Sequence, residues 1–288
     1  MNTKLLSKPA LDTIDQYLHF KVDHAECSVP YFNNKRAMRR AGLRAAIGKG
    51  SSKEILDEVE ILGLKEKIRT ESWTNDSLKK FMCDNDIGID CSGLAYYILA
   101  AENKARGNGS LNRHLTFPYN KGLRRFIAKF RPVENADVLT FANQKNSILV
   151  DLKDIQPGDF ITMTANQETN QENKIKEGKS QEKTRENNFQ ENTFQENKTS
   201  ERNHIVIIHQ VDYQNFAPTK IYYTHSIAWP DDGQYGHGVR QGTIEILYPA
   251  KKLSEQKWVE KEKTGTENPT RSRALVSKTE VRRLKWWV

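Results

Sequence analysis

Apolar positions recur at helical spacing through the first third of the chain and become strand-like beyond residue 146. Residues 10–24 (ALDTIDQYLHFKVDH) predict a short helix, which VPYFNN (29–34) breaks. KRAMRRAGLRAAI (35–47) predicts a basic amphipathic helix ended by Gly48-Lys49-Gly50. Ser51 followed by Glu54 has the form of a capping box for the next helix, EILDEVEILGLKEKI. A further short helix is predicted from Thr74 to Phe81, ahead of the loop CDNDIG. Residues 104–135 read as irregular and basic, densest at RRFIAKFR (124–131). Then come a strand-like SILVDL (147–152), a Pro-Gly-Asp turn in DIQPGDF (154–160) and the strand FITMTA (160–165). HIVIIHQVDY (204–213) and IYYTHSIAW (221–229) predict a hairpin, and VRQGTIEILY (239–248) a third strand after the loop PDDGQYGHG.

This order, helices first and then a run of antiparallel strands, predicts an α+β fold with N-terminal helices packed on an antiparallel sheet. Between two strands the composition changes abruptly to Gln, Glu, Asn and Lys, and FQEN occurs at 189–192 and again at 194–197. Residues 166–203 are therefore expected to be a disordered low-complexity insertion within one domain. The predicted organisation is a helical N-terminal region (1–80), a catalytic domain (81–250) and a charged C-terminal tail (251–288), helical in part.

Composition narrows the function classes. The hydrophobic fraction is 36 %, mean hydropathy is −0.77 and net charge is +8. Such a balance suits an anionic partner, and the basic segments 35–44 and 124–131 are where an anionic polymer would be held. The N-terminus has no apolar run of signal-peptide length, and no stretch approaches a membrane span, so a cytoplasmic location is expected, with non-classical export as the alternative. Three cysteines without C-x-x-C spacing argue against a zinc site or disulfide framework, and no metal or cofactor is expected. GLRAAIGKGS (42–51) lacks the G-x-x-x-x-G-K-[ST] spacing that lets loop amides cradle phosphate.

Candidate chemistry centres on IGIDCSGLAYY, in which Asp90 has the character of an N-cap and Cys91 falls in the first turn of the helix that follows. Free amides and the helix dipole at that position favour a thiolate, which still requires a base to protonate a leaving group. His204 opens the first strand of the hairpin and His225 lies on the second. His209 is the rival base. Its parity is opposite to that of His204, so on a regular strand the two face opposite sides, unless a bulge intervenes.

Together, G-I-D-C-S-G-L, a downstream Q-P-G-D-F before a strand, H-I-V-I-I on a strand and a later T-H-S resemble the NlpC/P60 papain-like cysteine peptidases over about residues 81–250. The resemblance implies a papain-like fold with Cys91 as nucleophile, His204 as general base and acid, and His225 orienting the His204 imidazole. It implies that Asp90 and Ser92 contact the substrate, through a free amine of a short peptide, and that the Cys91 backbone N–H helps bind the oxyanion. The implied reaction is hydrolysis of an amide bond in a small peptide, such as a cell-wall peptide, through a Cys91 thioester. Two alternatives share the scaffold: a non-enzymatic polyanion-binding protein and a thiol acyltransferase.

Overall fold

The expected hairpin of two long strands lies at the centre of the sheet and organises the fold. The computed structural model of the protein describes residues 2–33, 43–165 and 203–288. The chain opens with β1 (Asn2–Leu5), α1 (Lys8–Leu18) and a short hairpin of β2 (Phe20–Val22) and β3 (Ala25–Cys27). Next come α2 (Ser52–Lys65), α3 (Asn75–Asp84) and α4 (Cys91–Ala105), then the shorter α5 (Leu123–Phe130), α6 (Pro132–Asn135) and α7 (Val138–Ala142). Strands β4 (Ser147–Leu149), β5 (Phe160–Thr164), β6 (His204–Gln214), β7 (Ala217–Ile227), β8 (Gly238–Glu245), β9 (Lys257–Glu260) and β10 (Lys263–Thr264) follow, and α8 (Pro269–Val276) and β11 (Lys278–Leu284) close the chain.

Nine strands form one antiparallel sheet in the order β10-β9-β8-β7-β6-β5-β11-β4, with β1 also pairing β6. The fold is thus α+β with an antiparallel sheet, as the patterning predicts. Both faces of the sheet are covered. Ile205 and Ile207 of β6 join a core shared with Leu94, Ile98 and Leu99 of α4 and Ala10 and Ile14 of α1. Val206 and Ile208 point the other way, onto Tyr223, Ile244 and Trp258. That is why HIVII reads as an unbroken apolar run: a strand buried on both faces loses its alternation.

Local signals account for the helix starts. Ser51 and Glu54 make the reciprocal capping box, with Glu54 N donating to Ser51 Oγ at 3.2 Å and Ser51 N donating to Glu54 Oε2 at 2.8 Å. Thr74 caps α3 in the same way through Ser77. The helix expected over 10–24 ends earlier, at Leu18. Phe20 and Val22 are buried and Lys21 between them is exposed, a period of two that makes a strand. Residues 124–131, expected to be irregular, lie largely in α5. Most of the basic helix expected at 35–47, and the insertion expected at 166–203 as far as residue 202, lie outside the described residues.

The largest departure is at the C-terminus. Residues 251–288 supply β9 and β10 at one edge of the sheet and β11 between β5 and β4 at the other. The charges there are built in as pairs. Arg282, only 5 % exposed, donates to Glu280 Oε2 at 2.7 Å and to Ser147 Oγ at 3.2 Å. Arg283 grips the Pro-Gly-Asp turn, with Nε on Asp159 Oδ1 at 2.7 Å and Nη2 on Oδ2 at 2.9 Å. Trp286 and Trp287 each donate their indole N–H to Asn103 Oδ1 of α4 at 2.8 Å. A segment with this charge density reads as a solvated tail only while its partners are invisible.

Deleting residues 278–288 removes an internal strand and leaves the buried Asp159 without its guanidinium. Loss of the cooperative thermal transition followed by circular dichroism is the expected outcome, whereas a dispensable tail leaves the transition unchanged.

Candidate active site

Asp90 starts α4. Its backbone is extended (φ −83°, ψ 167°) and its Oδ1 accepts the Gly93 N–H at 2.6 Å, so Cys91 becomes the first helical residue. Helix geometry leaves the first-turn amides of Cys91 and Ser92 without intrahelical acceptors. The loop before Asp90 is tied to two neighbours. Asp90 N donates to the Gly48 carbonyl at 2.9 Å, and Ser226 Oγ of β7 donates to the Ile89 carbonyl at 2.7 Å. Gly48 is required at its position: φ is +73° and a Cβ there would lie 2.3 Å from the Phe32 carbonyl oxygen.

The same Asp90 oxygen takes two further donors, the Ser92 hydroxyl at 3.0 Å and the Lys49 ammonium at 3.0 Å. Lys49 Nζ also donates to Ser92 Oγ at 2.6 Å and to the Ala136 carbonyl at 3.0 Å, and the whole cluster is buried. Asp90 and Ser92, expected to contact substrate, are therefore engaged by a cation from the chain itself.

On the sheet, His204 and His225 are brought together. His204 Nε2 lies 2.7 Å from His225 Nδ1, and His225 Nε2 lies 3.1 Å from Glu260 Oε1. All three side chains are essentially inaccessible. Burial pushes the Glu260 carboxyl up, but the charge and hydrogen bond of His225, with Tyr223 and Arg240, outweigh it and hold Glu260 below its ordinary value. The ionised carboxylate accepts from His225 Nε2–H. When His225 is neutral its Nδ1 accepts from His204 Nε2–H, which leaves His204 Nδ1 unprotonated, the atom a general base would use. The backbone N–H of Ile205, next in the chain to His204, favours the anionic form of Cys91.

The ionisation of the pair differs from the expectation of a helix-stabilised thiolate. Burial, reinforced by the Asp90 charge, pushes the Cys91 thiol up to about 11, against smaller opposing effects of the Ile205 N–H, Lys49 and Arg273. Burial, then His225 and Arg273, hold His204 well below its ordinary value. In the resting protein Cys91 is a neutral thiol and His204 a neutral imidazole.

His209 is set apart. A register shift in β6 between Ile208 and Gln210 falls on it, its Nδ1 lies 3.0 Å from Thr224 Oγ1, and burial lowers its pKa to about 4. Two residues emerge that sequence reasoning missed. Glu260 is one of two acids in KWVEKEK; its only signal is that it shares a strand face with Trp258. Tyr31 bridges Ile89, two residues before Cys91, and its phenol is raised to about 12 by burial and then by the Cys91 charge. Among the described residues no group of three or more His, Cys, Asp or Glu side chains is arranged to hold a metal ion. No helix among them is long and apolar enough to cross a membrane.

Comparison of the chain with protein-family models, with curated proteins and with solved structures returns no match.

Two outcomes are expected of this geometry. Lys49→Met, which strips a buried carboxylate of its cation, should lower the free energy of unfolding by about 3 kcal/mol in urea denaturation; a change within experimental error would mean that the cluster is dispensable. In a Cys27→Ser/Cys83→Ser background, a thiol pKa raised from 9.0 to about 11 leaves thiolate at pH 7 about a hundredfold scarcer than in an ordinary cysteine. Iodoacetamide labelling of Cys91 should accordingly be slow at pH 7 and climb through pH 10. A rate already at its plateau below pH 8 would mean a preformed thiolate–imidazolium pair.

Proposed function

We propose that the protein is a papain-like cysteine hydrolase, related to the NlpC/P60 peptidases, that cleaves an amide bond of a small peptide through a Cys91 thioester. The observation that carries this reading is the line of hydrogen bonds His204–His225–Glu260, which orients an imidazole on β6, the strand that packs against the helix begun by Cys91. A histidine needed only for packing does not require a second histidine and a buried carboxylate to set its tautomer.

In this mechanism His204 Nδ1 takes the thiol proton as the sulfur attacks the carbonyl carbon, so that charge forms only when substrate is present. The Cys91 backbone N–H donates to the developing oxyanion. His204 then protonates the amine, the C–N bond breaks, and the acyl group remains on sulfur as a thioester. Water, deprotonated by His204, displaces the sulfur, releasing a carboxylate and restoring the thiol. His225 and Glu260 stabilise the imidazolium that forms at each step and act as positioning residues. Cell-wall peptides fit the substrate class. Recognition of a free amine by Asp90 and Ser92 would require Lys49 to leave them.

The burial of the site favours one second reading, a catalytically silent scaffold that binds an anionic polymer: Cys91 is 7 % exposed and His204 2 %. A single experiment separates the two. The purified protein is incubated with a small-peptide amide library, and acyl adducts on Cys91 and released amines are followed by mass spectrometry. Turnover should fall by at least about a thousandfold in Cys91→Ala and by about ten- to a hundredfold in Glu260→Gln. Turnover that survives Cys91→Ala, or no adduct with any peptide, overturns the hydrolase. Products in which an added amine replaces water identify an acyltransferase with the same nucleophile.

A further inference from the structure

Helix α5 is built the wrong way round for a packing helix. Leu123, Phe126, Ile127 and Phe130 occupy positions i, i+3, i+4 and i+7, the spacing that makes one continuous apolar face. In a helix held by its core that face points inward. Here the four side chains are between 43 % and 75 % exposed, while Ala128 is fully buried. Phe126 and Phe130 meet edge to face at 4.9 Å, so the ridge is continuous along the outer surface, and Tyr119, also exposed, precedes it in the chain. The element is cationic as well. Lys121, Arg124, Arg125, Lys129 and Arg131 fall in or beside it, and no acidic residue occurs from Lys121 to Arg131. Lys129 and Arg131 are exposed.

We propose that α5 is a membrane-interface helix that docks the protein on an anionic lipid surface. Eight residues span about 12 Å, far short of the roughly 30 Å hydrocarbon core, so the helix lies in the plane of the interface with its ridge among the acyl chains. Anionic headgroups meet the exposed Lys129 and the other basic residues of the segment. The combination of apolar and basic character selects this occupant. A soluble polyanion would satisfy the charges and leave four large apolar side chains in water. A second copy of the chain would cover the ridge and crowd two sets of cations together. An anionic bilayer offers a partner to both. The proposal rests on α5 alone and stands apart from the chemistry at Cys91.

The test uses the full chain in co-sedimentation with vesicles of phosphatidylcholine alone and of phosphatidylcholine mixed with phosphatidylglycerol. Binding to the mixed vesicles that weakens with salt is expected, together with much weaker binding to phosphatidylcholine. Phe126→Ser/Phe130→Ser should reduce binding by about tenfold or more, because it removes apolar area from the interface. Both side chains already lie in solvent, so the thermal midpoint of this variant should match that of the unaltered protein. Hydrogen–deuterium exchange of the unaltered protein provides a readout independent of variant folding, with vesicle-induced protection expected over residues 121–131. Absent binding, equal binding to both vesicle types, binding unaffected by the serine variant with no protection at 121–131, or a dimer that the serine substitutions dissociate would each overturn the proposal.

Discussion

One carboxylate oxygen, Oδ1 of Asp90, organises the region on which the rest of the molecule converges. It receives the Gly93 amide, the Ser92 hydroxyl and the Lys49 ammonium, three donors on a single buried acceptor. The amide bond starts α4, the helix at the heart of the larger core. The ammonium joins the loop around Gly48 to the segment after α6 through the Ala136 carbonyl. An unpaired carboxylate in such a place carries a penalty of several kcal/mol, so loop, helix and connection are constrained to arrive together. Cys91 is placed by that constraint, as the residue that follows the cap.

The second organising element is the carboxylate of Glu260. It comes from a strand more than 160 residues after Cys91, reached only because β7, β8 and β9 pair in succession. Arg240, with Nε at 3.8 Å, and the Tyr223 hydroxyl at 2.7 Å share it, so it stays ionised at near-zero exposure. A buried anion of that kind imposes proton positions on whatever it touches, and His225 passes the constraint to His204. The hydrogen bonds of the T-H-S tripeptide show the same economy, since Thr224 binds His209, His225 carries the line and Ser226 secures Ile89.

Competition between two electrostatic effects decides the state of the thiol. The first turn of a helix favours an anion by roughly 0.3–1 kcal/mol, and by about 2 at most. Removing a charge from water shifts a pKa by as much as 3–5 units, each worth about 1.4 kcal/mol. For a buried sulfur beside the Asp90 carboxylate the second effect wins, and the thiol is raised rather than lowered. A thiolate at Cys91 is therefore not a property of the resting protein.

The sequence by itself determined what depends on near neighbours. The Ser51–Glu54 and Thr74 caps, the Asp90 start of α4, the Pro-Gly-Asp turn and the two long strands of the hairpin were legible because each is specified by residues three or four apart or by a strand's own apolar run. The alternation in β2 was obscured by the helical period before it. Parity separated His204 from His209, and the hairpin register, which no short-range pattern encodes, then set His204 against His225. Tertiary structure alone decided that Lys49 would hold Asp90 and Ser92, that Glu260 would complete the line, and that the charged C-terminal segment would enter the sheet. Lys49 for Asp90, His225 for Glu260 and Arg283 for Asp159 are partners distant in the chain for ionic groups of the interior, and such pairing leaves no periodic trace in the sequence.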